Sequence, residues 1–319
     1  MRAILAAGKL DPTLDIGPAI RLLDRFVESQ EPDGSWRAGY FLPPSCDASQ
    51  DPTRSTANRA DIGSIAACLS LATGQVDPVR RESYLSAARY YTEAQILPFQ
   101  LATGAFPNGL TDSVVRTVPY SVATATQLTH LVALHRTTQD AAVFESIRKA
   151  SAFLAESVHE NGTVTFYPHD SEVSETFCMH QFGNLLYVLE GLLLASRVLT
   201  GPEGDQVRGA LRRLFLGSAG LVSCMREPDW SASSDPWENS KRAGALYLVS
   251  LYCRWVEPNA ELDALSGILA ASLALPPHRT HLGVLAPPFA PFGEQAVVAT
   301  GLAGLGFAAQ VDPAVLFPD

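Results

Sequence analysis

A chain of 319 residues, 47% hydrophobic and 18% charged, has ample material for a buried globular core. Its net charge of -10, without any run of Lys or Arg, argues against nucleic acid or an anionic membrane as a partner. No apolar stretch reaches the roughly 20 residues of a membrane span. The five cysteines form no CxxC pair, and the apolar start MRAILAAGKL is too short for a secretion signal. The expectation is a cytoplasmic protein with reduced thiols.

Apolar periodicity predicts about ten helices in chain order and almost no strand alternation. They fall at about 17–30, 58–73, 79–95, 119–137, 141–157, 175–199, 205–216, 237–255, 260–274 and 294–310. The first of each pair is amphipathic with a charged face, and the second is richer in small and apolar residues. Each apolar helix passes to the next amphipathic one through a short polar turn: TGQVDP, TTQD, TGPEG and EPNAE. The opposite connections are long and rich in Gly, Pro and aromatic residues. A unit repeating at this scale implies stacked supersecondary units. The expected fold is all-α: a single α/α toroid over residues 1–319, with about five helical hairpins, apolar helices inside and charged helices outside. The alternative is an open helical solenoid built from the same hairpins. In a toroid all the long loops gather over the N-termini of the inner helices, where function usually sits.

The first amphipathic segment ends FVESQEPDGSW. Gln30, Asp33, Gly34 and Trp36 there resemble the QW-type repeat of squalene-hopene cyclases and related toroids, and AQILPFQLATGAFPNG and SVHENGTVTFYP are degraded echoes of it. The role this implies is structural: Gln and Asp cap the outer helix end, Gly permits the turn and the aromatic seals it. A second resemblance lies in ETFCMHQFGNLLYVLEGLLLAS and DPWENSKRAGALYLVSLY, which look like inner helices of toroid proteins associated with polysaccharide biosynthesis. That likeness implies a carbohydrate context and no particular reaction.

Glu175, Cys178 and His180 are expected within the first two turns of the third inner helix, facing the mouth. Just upstream, TFYPHDSE supplies His169 and Asp170. A His–carboxylate set at a pocket mouth suits general acid–base work, and His180, Glu175, His169 and Asp170 are the catalytic candidates. The bland alternative makes Glu175 a helix cap and His180 a core residue. His130 and His135 lie late on their inner helix and are not preferred. The substrate-binding candidates open the inner helices or follow shortly after: Arg59, Asp61, Tyr120, Tyr187, Trp237, Glu238, Arg242 and Glu294. Trp can stack on a sugar face, and Glu and Arg can bind hydroxyls or a carboxylate. Glu190, set among apolar residues in LLYVLEGLLLAS, needs a partner or a raised pKa if it is buried. An ion pair with an Arg of a neighbouring helix is the structural solution.

Cys178-x-His180 with His169 and Asp170 nearby faintly resembles the zinc set of toroidal protein prenyltransferases, but the Gly-rich context is missing and residues spaced CxH on a helix diverge. No metal and no cofactor is therefore expected. The DxDD and DDxxD motifs of terpene cyclases are absent, although loop aromatics including Trp36, Phe106, Trp230 and Phe289 could shield a cation. The leading expectation is an enzyme that binds a carbohydrate, an acidic sugar being one form, as a small-molecule or oligosaccharide substrate at the toroid mouth, and performs epimerisation, elimination or hydrolysis there by acid–base chemistry. A terpenoid-type cyclase and a non-catalytic scaffold toroid are the alternatives.

Overall fold

The computed structural model describes residues 1–36, 59–107, 119–165, 174–175, 182–225, 238–274 and 294–317. These are overwhelmingly helical. In chain order the helices are α1 (Arg2–Leu10), α2 (Gly17–Glu28), α3 (Arg59–Ala72), α4 (Pro78–Tyr91), α5 (Ser121–Thr138), α6 (Ala141–Glu156), α7 (Phe182–Ala195), α8 (Gly201–Leu216), α9 (Leu221–Met225), α10 (Glu238–Trp255), α11 (Ala260–Ala274) and α12 (Glu294–Val311). A π-helical turn (Thr92–Ile96) continues α4, and a 3-10 turn (Pro313–Val315) follows α12. Two short strands, β1 (Val164–Thr165) and β2 (Ser174–Glu175), pair antiparallel. Among the described residues no helix is long and apolar enough to cross a membrane.

The short polar turns do the work their composition suggests. Asp77 accepts from the amides of Val79 and Arg80 at the start of α4, with Pro78 in the first helical turn. Asp140 does the same for Ala142 and Val143 in α6, and Asn259 for Glu261 and Leu262 in α11. The apolar helices are enclosed to match their composition: every residue of α5 from Ser121 to Leu134 is buried. These helices pack in chain order, α3 on α5, α5 on α7, α7 on α10 and α10 on α12. The charged helices lie against them, α4 on α3, α6 on α5, α8 on α7 and α11 on α10. Ionic contacts tie neighbouring charged helices together, with Arg80 on Asp24 of α2 and Arg148 on Glu203 of α8.

The turn after each of three charged helices is built alike. Gly34, Gly104 and Gly162 all have φ between 83° and 89°, a left-handed conformation that costs glycine least. In each copy the glycine amide bonds three residues back, Gly34 to Glu31, Gly104 to Leu101 and Gly162 to His159. The side chain just before the glycine accepts from the amide just after it, Asp33 from Ser35, Thr103 from Ala105 and Asn161 from Thr163. Gln30 Nε2 donates to the Gly34 carbonyl (3.0 Å) and to the Ala87 carbonyl of α4 (3.0 Å). Gln100 repeats this with Gly104 (2.9 Å) and Ser146 of α6 (3.0 Å). The glutamine therefore fastens its turn to the next charged helix rather than capping its own. Trp36, Phe106 and Val164 are the fully buried seals. Trp36 stacks on Phe26 at 4.2 Å and donates its indole N–H to the Phe26 carbonyl at 2.7 Å.

Two departures from the sequence-based reading matter for function. MRAILAAGKL is a helix, α1, which packs on α12 and also touches α3 and α2. And the third apolar helix begins at Phe182, not at 175. Glu175 instead sits on β2, paired with Val164, because the sealing turn at Asn161–Val164 runs on into extended backbone that needs a strand partner. Glu175 therefore lies on a strand ahead of α7 and not within the first two turns of that helix. The thiols also differ from expectation. Cys68 and Cys253 are free, but Cys224 is disulfide-bonded.

Candidate functional site

The site expected at the N-terminal ends of the apolar helices is described in part. His169, Asp170, Cys178, His180 and Trp237 lie outside the described residues. So do the side chains of Asp61, Glu175, Glu238 and Glu294, although Glu238 and Glu294 do open α10 and α12.

Arg59 opens α3 and is fully buried. Its guanidinium donates to the Gln95 carbonyl from Nε (3.3 Å) and Nη2 (3.1 Å), and to the Pro107 carbonyl from Nη1 (3.3 Å). It also lies over the Phe99 ring, 5.0 Å from its centre. Carbonyls at the end of a helical segment lack intrahelical donors, and a buried arginine supplies them. The Arg59 carbonyl in turn accepts from Gln127 Nε2 (2.6 Å) and Thr126 Oγ1 (3.1 Å) of α5. Arg59 thus knits three elements together where α3 begins. Arg242, also buried, reaches sideways to Ser272 of α11 at 2.8 Å. Through these bonds both arginines brace neighbouring elements.

Tyr120 precedes α5 and is half-buried. Its amide donates to the Phe106 carbonyl (3.2 Å), and Thr124 one turn on accepts from the Phe106 amide (2.9 Å). Ser121 donates to the Thr165 carbonyl at 2.8 Å. The opening of α5 is therefore held by the two sealing turns flanking it.

Deeper in, Glu190 of α7 is paired with an arginine, as its apolar surroundings demand. The partner is Arg2 of α1. Its Nη2 lies 2.7 Å from Glu190 Oε1, and its Nη1 lies 2.9 Å from Oε2. Tyr247 of α10 donates its hydroxyl to Glu190 Oε1 at 2.6 Å and accepts from Arg2 Nη2 at 2.8 Å. The Arg2 guanidinium also lies 5.0 Å from the centre of the Phe317 ring. Burial works against the Arg2 charge, but Glu190 and Tyr247 outweigh it and hold the guanidinium above the usual arginine range. Burial likewise raises Tyr247 well above the tyrosine range, so it remains a neutral donor. This node was legible as a need, a buried carboxylate without a local partner; α1 as the source was not. Tyr187, one turn towards the N-terminus of α7, is half-buried.

Between α4 and α5 lies a second polar group missed in the sequence. His130 is fully buried, its Nε2 2.8 Å from the Thr92 hydroxyl and its ring 5.5 Å from that of Tyr91. Because Thr92 donates to the Ala88 carbonyl (2.8 Å), its oxygen accepts from a protonated Nε2. Burial lowers the His130 pKa to about 4, so it is a neutral packing element at ordinary pH. Among the described residues no group of three or more His, Cys, Asp or Glu is placed to hold a metal ion. Compared with family models, curated proteins and solved structures, the chain matches none of them.

Proposed function

We propose that the chain is a single α/α toroid whose mouth binds a carbohydrate, of which an acidic sugar is the favoured form, and carries out acid–base chemistry there. One observation carries the architecture: the apolar helices pack in chain order from α3 to α12, and α1 touches both ends of that series. On this reading α1 is a further inner helix that closes the ring, and the Arg2–Glu190–Tyr247 node ties the closure together. The long connections then lie over the N-termini of the inner helices, with a braced edge at Arg59, Tyr120 and Ser121 beneath them.

The chemistry rests on the residue types those connections hold. Epimerisation, elimination and hydrolysis each need two positioned proton-transfer groups, and His180, His169, Asp170 and Glu175 are the candidates. Trp237 and Glu238 supply a stacking face and a hydroxyl acceptor, and no metal or cofactor is invoked. Two observations weigh against the terpenoid cyclase. Trp36 and Phe106, both candidates to shield a cation, are buried as turn seals, and the buried core holds a carboxylate–guanidinium pair, Glu190 with Arg2. The cytoplasmic location loses one support at Cys224, since disulfides persist in oxidising surroundings.

The test is turnover of uronic-acid-containing oligosaccharides, followed by NMR of the sugar protons, in the wild type and in His180→Ala. Loss of turnover by about 10²–10⁴-fold with an intact circular dichroism spectrum supports the reading. Binding without any turnover, in wild type and variant alike, transfers the protein to the scaffold class. Absence of binding by any such oligosaccharide removes the carbohydrate assignment.

A further inference from the structure

The C-terminal ends of α10 and α12 and the first half of α11 enclose a cleft of about 580 Å³, within the roughly 300–1,000 Å³ range of small-molecule sites. Gly267 of α11 lines it, and a Cβ there would meet nothing within 4 Å. Hydroxyl and amide groups form one wall. Gln310 Nε2 donates to Ser266 Oγ at 2.9 Å, and Ser266 Oγ lies 3.4 Å from Ser250 Oγ. Ser250 donates its own proton to the Leu246 carbonyl at 2.8 Å, so the Ser266 proton is directed at Ser250 Oγ and this wall is already hydrogen-bonded within itself.

The charged residues are the informative part. Arg254, from the last turn of α10, lines the cleft and makes no hydrogen bond or ion pair among the described residues. Asp263 and Asp312 line the same space, yet neither pairs with it. Asp312 Oδ1 is engaged by the Ala314 amide at 3.0 Å, which leaves Oδ2 for another donor. Opposite charges facing one cleft without meeting define complementary sites for a molecule that carries both signs. A guanidinium takes a carboxylate through two parallel bonds, and a carboxylate takes an ammonium. Among the described residues no aromatic side chain lines the cleft, so they supply no stacking face of the kind a sugar ring favours. The Cys253 thiol is one wall. Burial and the neighbouring Asp263 push its pKa up to about 12, so it is not a nucleophile at neutral pH.

We propose that this cleft binds a small zwitterion of the amino acid or dipeptide class, its carboxylate on Arg254 and its ammonium on Asp263 and Asp312. The site lies at the far ends of the helices whose starts form the proposed mouth, and it is independent of the chemistry assigned there.

Titration of the ¹⁵N-labelled full chain with glycyl-L-alanine tests it, with the N-acetylated and C-amidated forms of the dipeptide and free glucuronate as comparisons. Saturable shifts with the free dipeptide, and binding weaker by about tenfold or more for either capped form, are expected from the loss of one charge-assisted contact. Arg254→Ala should weaken the free dipeptide by a similar factor and leave the C-amidated form unchanged. Gly267→Leu should abolish binding while folding normally, since leucine is the better helix former and its Cβ meets open space. His180→Ala should leave all of these values as they are. A flat titration, or capped forms that bind as well as the free dipeptide, overturns the proposal. Saturation by glucuronate without saturation by the dipeptide overturns it too, and assigns the cleft to sugar acids.

Discussion

Arg2 and Glu190 are 188 positions apart in the chain and form a two-point ion pair inside it, closed by the Tyr247 hydroxyl. Every acceptor site this node uses is matched by a donor, and the pair joins α1 to α7 and α10. A buried pair of this kind is weak evidence for net stabilisation, but removing one partner leaves the other charged and dry.

Glu190→Gln and Arg2→Ala should therefore each lose about 3–5 kcal/mol of unfolding free energy in urea. The double variant Arg2→Met with Glu190→Leu should lose far less than the sum, because no charge is then stranded. Single variants within 1 kcal/mol of the wild type would mean that water reaches the node and replaces the missing partner.

The sealing turns make a second set of expectations. Trp36→Ala should cost on the order of 3–5 kcal/mol, the range for a large buried aromatic. Gly104→Ala should also destabilise strongly, since φ is 89° there and the added methyl would strike the Lys149 carbonyl. Gly74→Ala, where a Cβ meets nothing within 4 Å, is the control. Equal melting temperatures for the two alanine variants would show that the turn can shift at no cost.

His130 makes stability depend on pH in a stated window. Burial lowers its folded pKa from 6.5 to about 4, so the unfolded chain takes up the proton first as pH falls. Its contribution is complete above pH 6.5, erodes between 6.5 and about 4, and is fully lost below that. The loss amounts to about 3 kcal/mol if the whole shift is expressed. Urea unfolding at several pH values, wild type minus His130→Gln, should recover this slope. A difference that does not vary across the window would place the imidazole in contact with water.

Cys224 gives a readout of where the protein works. Acid-quenched cells, alkylated and analysed by mass spectrometry without reductant, should show Cys224 oxidised and Cys68 and Cys253 free. Finding Cys224 alkylated in cells would restore the reducing, cytoplasmic setting.

What the sequence determined by itself is what neighbours in the chain decide. The alternation of helices follows from apolar periodicity, and the starts of α4, α6 and α11 follow from Asp77, Asp140 and Asn259, which bond amides two and three residues on. The turn at Gly34 was legible in the same way, because its glycine, aspartate and tryptophan act within ten residues of one another along the chain. Glu190 announced a buried charge without saying what met it. Only the tertiary structure decided the rest. It made MRAILAAGKL a helix, brought Arg2 to Glu190, turned Arg59 and Arg242 into braces, moved Glu175 onto a strand and left Arg254 facing an open cleft. Each of these depends on which side of a helix meets which neighbour, and that is settled by packing between segments far apart in the chain. A residue's place at the start of a helix fixes its height along the axis, but the neighbours decide the direction in which it points.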